Sequence, residues 1–291
     1  MAEHASGTLM KRAAMASVAV SLFLVVIKAG AYFASHSVAL LASMADSALD
    51  LFASGLNMLA IRHALTPADA EHRFGHGKAE PLAGLAQGAF IAASALFLSI
   101  QSVQRIVTPE TLDHSIPALI VMCVSIVSTL LLVRYQRWVA ARTGSLAVEA
   151  DSSHYASDLL TNLGVIVALV LASWLGWTLA DPLIALAIAA VLVWTAWGVG
   201  RRSLDQLMDR ELPDEDRARI KQIAESHASV IDAHDLKTRE AGLSTFIQLH
   251  LRLRSDMTLT EAHGVSDDVE CAIREAYPNA DVIIHQDPAA G

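Results

Sequence analysis

The chain has 291 residues, 54% of them apolar and only 18% charged, a balance that excludes an ordinary water-soluble globule of this size and points to the membrane. Its net charge of −9 sits at one end: residues 1–204 hold 12 basic and 12 acidic side chains, whereas residues 205–291 hold 9 and 18. An acidic end repels phosphates, which excludes nucleic acid and suits cationic ligands, and the distant pair Cys123 and Cys271 excludes a disulfide framework or thiolate metal site.

Apolar runs recur at 13–34, 38–61, 82–107, 115–133, 146–173 and 178–199, each near the roughly 20 residues that a helix needs to cross the hydrocarbon core. They predict six transmembrane helices in a domain spanning 13–208, after a cytoplasmic segment 1–12. The fifth run is the irregular one, because Glu149, Asp151, His154 and Asp158 interrupt its first half. Omitting it would break the alternation of the loops. Lys11, Arg12, Arg62, Arg73, Lys78, Arg134, Arg137, Arg142, Arg201 and Arg202 then fall on one side, and only Arg105 and Lys28 lie toward the other. By the positive-inside rule both termini are cytoplasmic. The first run is long enough to span and lacks a small-residue cleavage site, so it reads as a helix and not as a removed leader.

Residues 209–291 follow a different pattern. Pro213 and the acidic trio Asp214, Glu215 and Asp216 open a helix to about residue 227, with carboxylates at the positive end of its dipole. Residues 231–239 and 244–254 read as a hairpin around Ala241-Gly242. Ile247, Leu249, Leu251 and Leu253 alternate with polar neighbours there, the period of a half-buried strand. A helix at 259–276 and a strand at 281–285 complete an αββαβ unit.

Asp46 and Asp50 lie near the middle of the second run, four residues apart and so on one helix face. Each carboxylate there costs about 2.5–3.5 kcal/mol on translocon scales, and mutual repulsion adds to that. Protons or a bound cation must offset the cost. The fifth run supplies His154 and Asp158 at the same spacing, and one imidazole with three carboxylates suits a Zn²⁺-like ion and offers no soft sulfur. The alternative is a set of stray polar groups satisfied in a cavity.

Ser43-Met44-Ala45-Asp46-Ser47-Ala48-Leu49-Asp50, the loop from Asp69 to Glu80 with His72-Arg73-Phe74-Gly75-His76-Gly77-Lys78, and His154-Tyr155-Ala156-Ser157-Asp158 resemble the cation diffusion facilitator family. The nearest branch is the bacterial zinc and ferrous-iron efflux transporters. The resemblance implies a proton-coupled antiporter, not an enzyme, that exports divalent transition metals from the cytoplasm by alternating access. Zn²⁺ leads, with Cd²⁺ and Fe²⁺ as further substrates, in a homodimer of the inner membrane. It makes 209–291 a ferredoxin-like metal-binding and dimerisation domain. It assigns Asp46, Asp50, His154 and Asp158 to the transport site, and Asp69, His72 and His76 to a loop site that otherwise reads as a charged cytoplasmic loop. His234, His250, His263, His285 and Asp287, with Gln286 as a weaker candidate, match a cytoplasmic metal cluster that otherwise reads as ordinary surface residues. Lys78 and Asp209 match a charge interlock near the membrane surface.

Two features depart from the family pattern. Zinc-selective members often carry His at the position of Asp46, and the harder oxygen-rich set here leaves the metal open. The connection 134–145 is short and lacks a His-rich stretch. An intramembrane metallohydrolase would need an HExxH-type motif, which is missing, and a membrane metal sensor would not need mid-bilayer carboxylates.

Overall fold

The computed structural model describes residues 2–35, 38–107, 116–175 and 179–289. They divide into two compact units, Met1–Leu204 and Asp205–Gly291. The first is built on six long helices: α1 (Ala2–Ser35), α2 (Val38–Ala64), α3 (Ala79–Val107), α4 (Ile116–Thr143), α5 (Leu146–Leu175) and α6 (Ala180–Leu207). Positions 115 and 178, where the fourth and sixth apolar runs begin, lie outside the described residues.

The helices outrun the apolar stretches that nucleate them. α1 already winds through the segment expected to precede the membrane, and α4 continues ten residues past position 133. Residues 134–145, expected as a connection, are therefore helix up to Thr143. Only Gly144, at φ 69°, and Ser145 separate α4 from α5. Backbone hydrogen bonding does not stop where the lipid does, and the left-handed Gly144 ends α4 by donating its N–H to the Ala140 carbonyl at 2.8 Å.

Among the described residues, four helices are long and apolar enough to cross a membrane: Ala5–Ala34, Ala79–Val107, Ile120–Thr143 and Ala180–Leu207. α2 and α5 have similar length but carry the carboxylates. The unit turns large apolar side chains outward and, besides an apolar core, buries many polar ones: Trp194, Trp197, Leu96 and Phe97 face outward, while Ser17, Ser54, Asn57, Gln87, Gln136 and Asp151 are buried. That arrangement suits a hydrocarbon solvent, where polar groups must find partners within the protein. Small residues let α3 and α6 approach closely: a Cβ on Gly88 would stand 3.4 Å from the Gly200 backbone nitrogen. Ile91 and Ala95 pack beside them on Ile188, Leu192 and Ala196.

The second unit has the expected order, α7 (Asp214–Glu225), β1 (Asp232–Ala241), β2 (Ser244–Leu253), α8 (Leu259–Ala276) and β3 (Ala280–Pro288). Pro213 is the N-cap of α7, one position before the first turn. A capping box fixes the start of α8, the Thr258 hydroxyl accepting from the Glu261 N–H and the Glu261 carboxylate from the Thr258 N–H. β1 and β2 pair antiparallel through a two-residue turn whose Gly242 has φ 62°, and β3 adds parallel to β2, so β2 is central. The β3 strand runs longer than the expected 281–285 because its register follows the whole of β2. Ile247, Leu249, Leu251 and Leu253 turn to one face and pack with Ile220, Val265, Val269 and Ile273 of the helices. The opposite face presents the polar half of the alternation.

Candidate metal centre

A spacing of four residues, little more than one helical turn of about 3.6, brings His154 and Asp158 to one face of α5, and the packing of α2 brings Asp50 against it. The His154 Nε2 lies 3.3 Å from Asp50 Oδ1 and 3.8 Å from Asp158 Oδ2. One ligand atom from each of the three residues falls within 4.8 Å of the others, the spacing of donors around a single ion. His154 is buried, bordered by the rings of Phe90 and Tyr155, and Asp158 Oδ2 is buried without a hydrogen-bond partner. A carboxylate oxygen in that position calls for a cation or a proton. Asp46 lies one turn before Asp50 on α2 with its side chain exposed, outside this group of three.

One turn before His154 lies a group that sequence reasoning noted only as an interruption. Asp151, 1% exposed, accepts hydrogen bonds from Ser17 of α1, Gln87 of α3 at 3.2 Å and Gln136 of α4 at 2.6 Å. Ser54 of α2 and Tyr155 of α5 share a further bond of 2.6 Å. Buried polar networks of this kind orient a helix face. Here they fix the rotation of α5 and hence the aim of His154.

The second cluster is local. Asp69 Oδ1 accepts the backbone N–H groups of Glu71 and His72 at 2.9 and 2.6 Å, a turn that its side chain closes upon itself. Those bonds, the His72 N–H foremost, hold the Asp69 carboxyl below its ordinary range. His72 Nδ1 and His76 Nε2 each lie 3.4 Å from Asp69 oxygens, with Gly75 at φ 78° making the bend between them. Asp69, His72 and His76 have donor atoms within 4.8 Å of one another. His63, at the end of α2, sets its ring 4.5 Å from that of His76, a neighbour that no motif spacing announced.

The third cluster follows from sheet register. His234, His250 and His285 stand opposite one another across β1, β2 and β3, and Asp287 is two residues on from His285, on the same face. Asp287 approaches His250 Nδ1 at 2.9 Å, His234 Nε2 at 3.2 Å and His285 Nε2 at 3.3 Å. His234, His250 and Asp287 meet the distance condition for sharing an ion. The His250 hydrogen bond is the main reason that the Asp287 carboxyl stays below its ordinary range. A bulge after His234, with Asp235 at φ 46°, also brings Asp235 within 3.7 Å of His250. Bulges are invisible to period counting, so this carboxylate was missed. His263 is separate: it lies exposed on α8 beside Asp267 at 3.6 Å. Gln286 turns to the other face and donates to Ser266 of α8 at 2.8 Å, which removes it from the cluster as strand alternation requires. Asp209 pairs with Arg239 at 3.3 Å within the second unit, while Lys78 belongs to the first.

Residues 14–208 match the cation efflux transmembrane domain, and residues 212–289 the cytoplasmic domain of cation efflux proteins. The chain belongs to the cation diffusion facilitator family. The cation-efflux pump FieF of Klebsiella pneumoniae is 46% identical over 284 residues, covering 98% of this chain and 94% of the relative. FieF of Cronobacter sakazakii is 45% identical over 287 residues, covering 99% and 95%. A solved chain of CzrB is 36% identical, covering 27% of this chain and 99% of its own, with a TM-score of 0.26. As a cation diffusion facilitator the chain is a membrane-embedded cation efflux transporter for divalent metal ions, not an enzyme, and carries a cytoplasmic dimerisation domain.

Proposed function

We propose that this chain is a proton-coupled antiporter exporting Zn²⁺, with Cd²⁺ and Fe²⁺ as further substrates, by alternating access. The convergence of Asp50, His154 and Asp158 on one buried point between two helices is the observation that carries the reading. Asp46, on the α2 face one turn away, completes the ligand set when the ion binds. In this reading all six helices span the inner membrane in a domain of residues 13–208, both termini are cytoplasmic, and residues 209–291 form a ferredoxin-like domain that pairs two chains.

The chemistry follows from the ligands. Asp46, Asp50 and Asp158 bind a metal as carboxylates and His154 binds it neutral, so loading from the cytoplasm releases protons. When α2 and α5 reorient, protons from the far side compete for the same oxygens and nitrogen and displace the ion. Asp69, His72 and His76 hold a second ion at the cytoplasmic loop. His234, His250, His285 and Asp287 hold metal that tightens the dimer and regulates transport, and His263 stands apart from them on α8.

The test is flux in proteoliposomes carrying a zinc indicator under an imposed pH gradient. Asp50→Ala and His154→Ala each lower proton-driven Zn²⁺ uptake by about 100-fold or more, since each removes a ligand of a dehydrated ion. Wild-type uptake in both variants would sink the assignment.

A further inference from the structure

α1 carries a lysine that neither the ligand set nor the proton step uses. Lys28 is 9% exposed. Its ammonium donates to the Ser47 hydroxyl at 2.7 Å and to the Ser43 backbone carbonyl at 3.2 Å. Both acceptors belong to α2, and Ser43, Ser47 and Asp50 follow one another at i, i+4 and i+7, a single helical stripe, with Asp46 beside Ser47. The long side chain crosses from α1 to α2 instead of reaching out to water, where an isolated lysine relieves its charge. It is tied to the α2 face that bears the transport carboxylates. Burying a lysine there is costly unless its charge is used.

We propose that Lys28 is a fixed counter-cation that sets the charge of the loaded site and thereby the ease of metal release. The inference rests on the transport-site reading above. Asp46, Asp50 and Asp158 around a divalent ion leave one uncompensated negative charge, and the Lys28 ammonium cancels it. A neutral loaded site lets α2 and α5 reorient within a low-dielectric interior at the lowest electrostatic cost. The same ammonium repels the incoming ion, so it weakens binding and speeds unloading. Lys28 is thus a positioning and charge-setting residue, not a ligand. The serines of α2 act by holding its charge on the site-bearing face.

Transport kinetics of the full chain in proteoliposomes test this. Lys28→Met and Lys28→Gln lower KM for Zn²⁺ by about tenfold and lower kcat, because the ion binds more tightly and leaves more slowly. Lys28→Arg keeps the charge and stays within about twofold of wild type in both constants. Lys28→Gln retains a hydrogen-bond donor for Ser47, so it separates charge from tether, and it serves where Lys28→Met fails to insert. An unchanged or raised KM in the neutral variants overturns the proposal, as does an arginine variant as impaired as the neutral ones. Asp50→Ala runs alongside. If it abolishes uptake while the lysine variants leave KM alone, only the role of Lys28 falls; if it transports normally, the site reading falls and takes the inference with it.

Discussion

At the residue scale, each metal cluster is assembled by a different local rule. The pair His154 and Asp158 comes from helical repeat, Asp69 with His72 and His76 from a turn closed by a side chain, and the three strand histidines from sheet register. In the strand cluster a single carboxylate serves three imidazoles, because Asp287 reaches His234, His250 and His285. Replacing it removes the carboxylate that all three imidazoles share and leaves the longer approaches of Asp235 to His250 at 3.7 Å and of Asp232 to His234 at 3.6 Å. Asp287→Asn is expected to weaken zinc binding at the cytoplasmic cluster about tenfold or more, read by equilibrium titration of the full chain in detergent. His263→Ala leaves that affinity within about twofold, because His263 stands apart on α8 beside Asp267. The depressed Asp287 carboxyl also sets a pH sense. A carboxylate lowered in the folded state contributes stability above its ordinary range and loses it as the pH falls through the lowered value.

At the scale of elements, α5 is the helix on which the proposed transport site turns. It carries two of the three converging donors, and Asp151 binds it to α1, α3 and α4. Asp151→Ala removes the acceptor that Ser17, Gln87 and Gln136 share and leaves them with the Ala13 and Ala53 carbonyls and the Ser17 hydroxyl, at a cost of about 1–3 kcal/mol. The measurement is a lower midpoint of thermal unfolding in detergent, together with reduced transport through a misaimed His154. A stable variant with full flux would deny α5 this anchor. The helix itself was legible in the sequence despite its charges, since residues 163–172 carry no charged or polar side chain. The partners of Asp151 were not, because Ser17, Gln87 and Gln136 lie in three other helices and no periodicity links them. Helix ends were similarly hidden: apolar counting marks where lipid ends, whereas α4 ends where Gly144 allows the chain to turn.

At the scale of the whole molecule, the chain joins a cation efflux transmembrane domain to a cytoplasmic domain of the family. The exposed apolar belt of the first unit and the acidic, histidine-bearing sheet face of the second call for different solvents. If the second unit pairs two chains and its clusters take up metal, zinc stabilises the dimer by mass action, and the effect grows with the logarithm of free metal above its dissociation constant. Native mass measurement in detergent is expected to show a dimer population that rises with Zn²⁺ and falls with chelator. In the His234→Ala, His250→Ala, His285→Ala triple variant the population no longer responds. A metal-independent monomer in the wild type would remove the regulatory part of the reading.

The amino-acid sequence by itself determined the membrane class, the number and order of long helices, the αββαβ order of the second unit and the residue types able to hold a metal. These depend on composition and on periods of 3.6 and 2, which are written along the chain. Only the tertiary structure decided which donors meet. It joined Asp50 to His154 and Asp158 while leaving Asp46 outside the group, turned Gln286 away from the strand cluster, set His63 beside His76 and Asp235 beside His250, and folded Lys28 back onto α2. Such meetings depend on the rotation of one element against another and on a one-residue bulge. Both are fixed by packing between residues far apart in the chain, which no local pattern records.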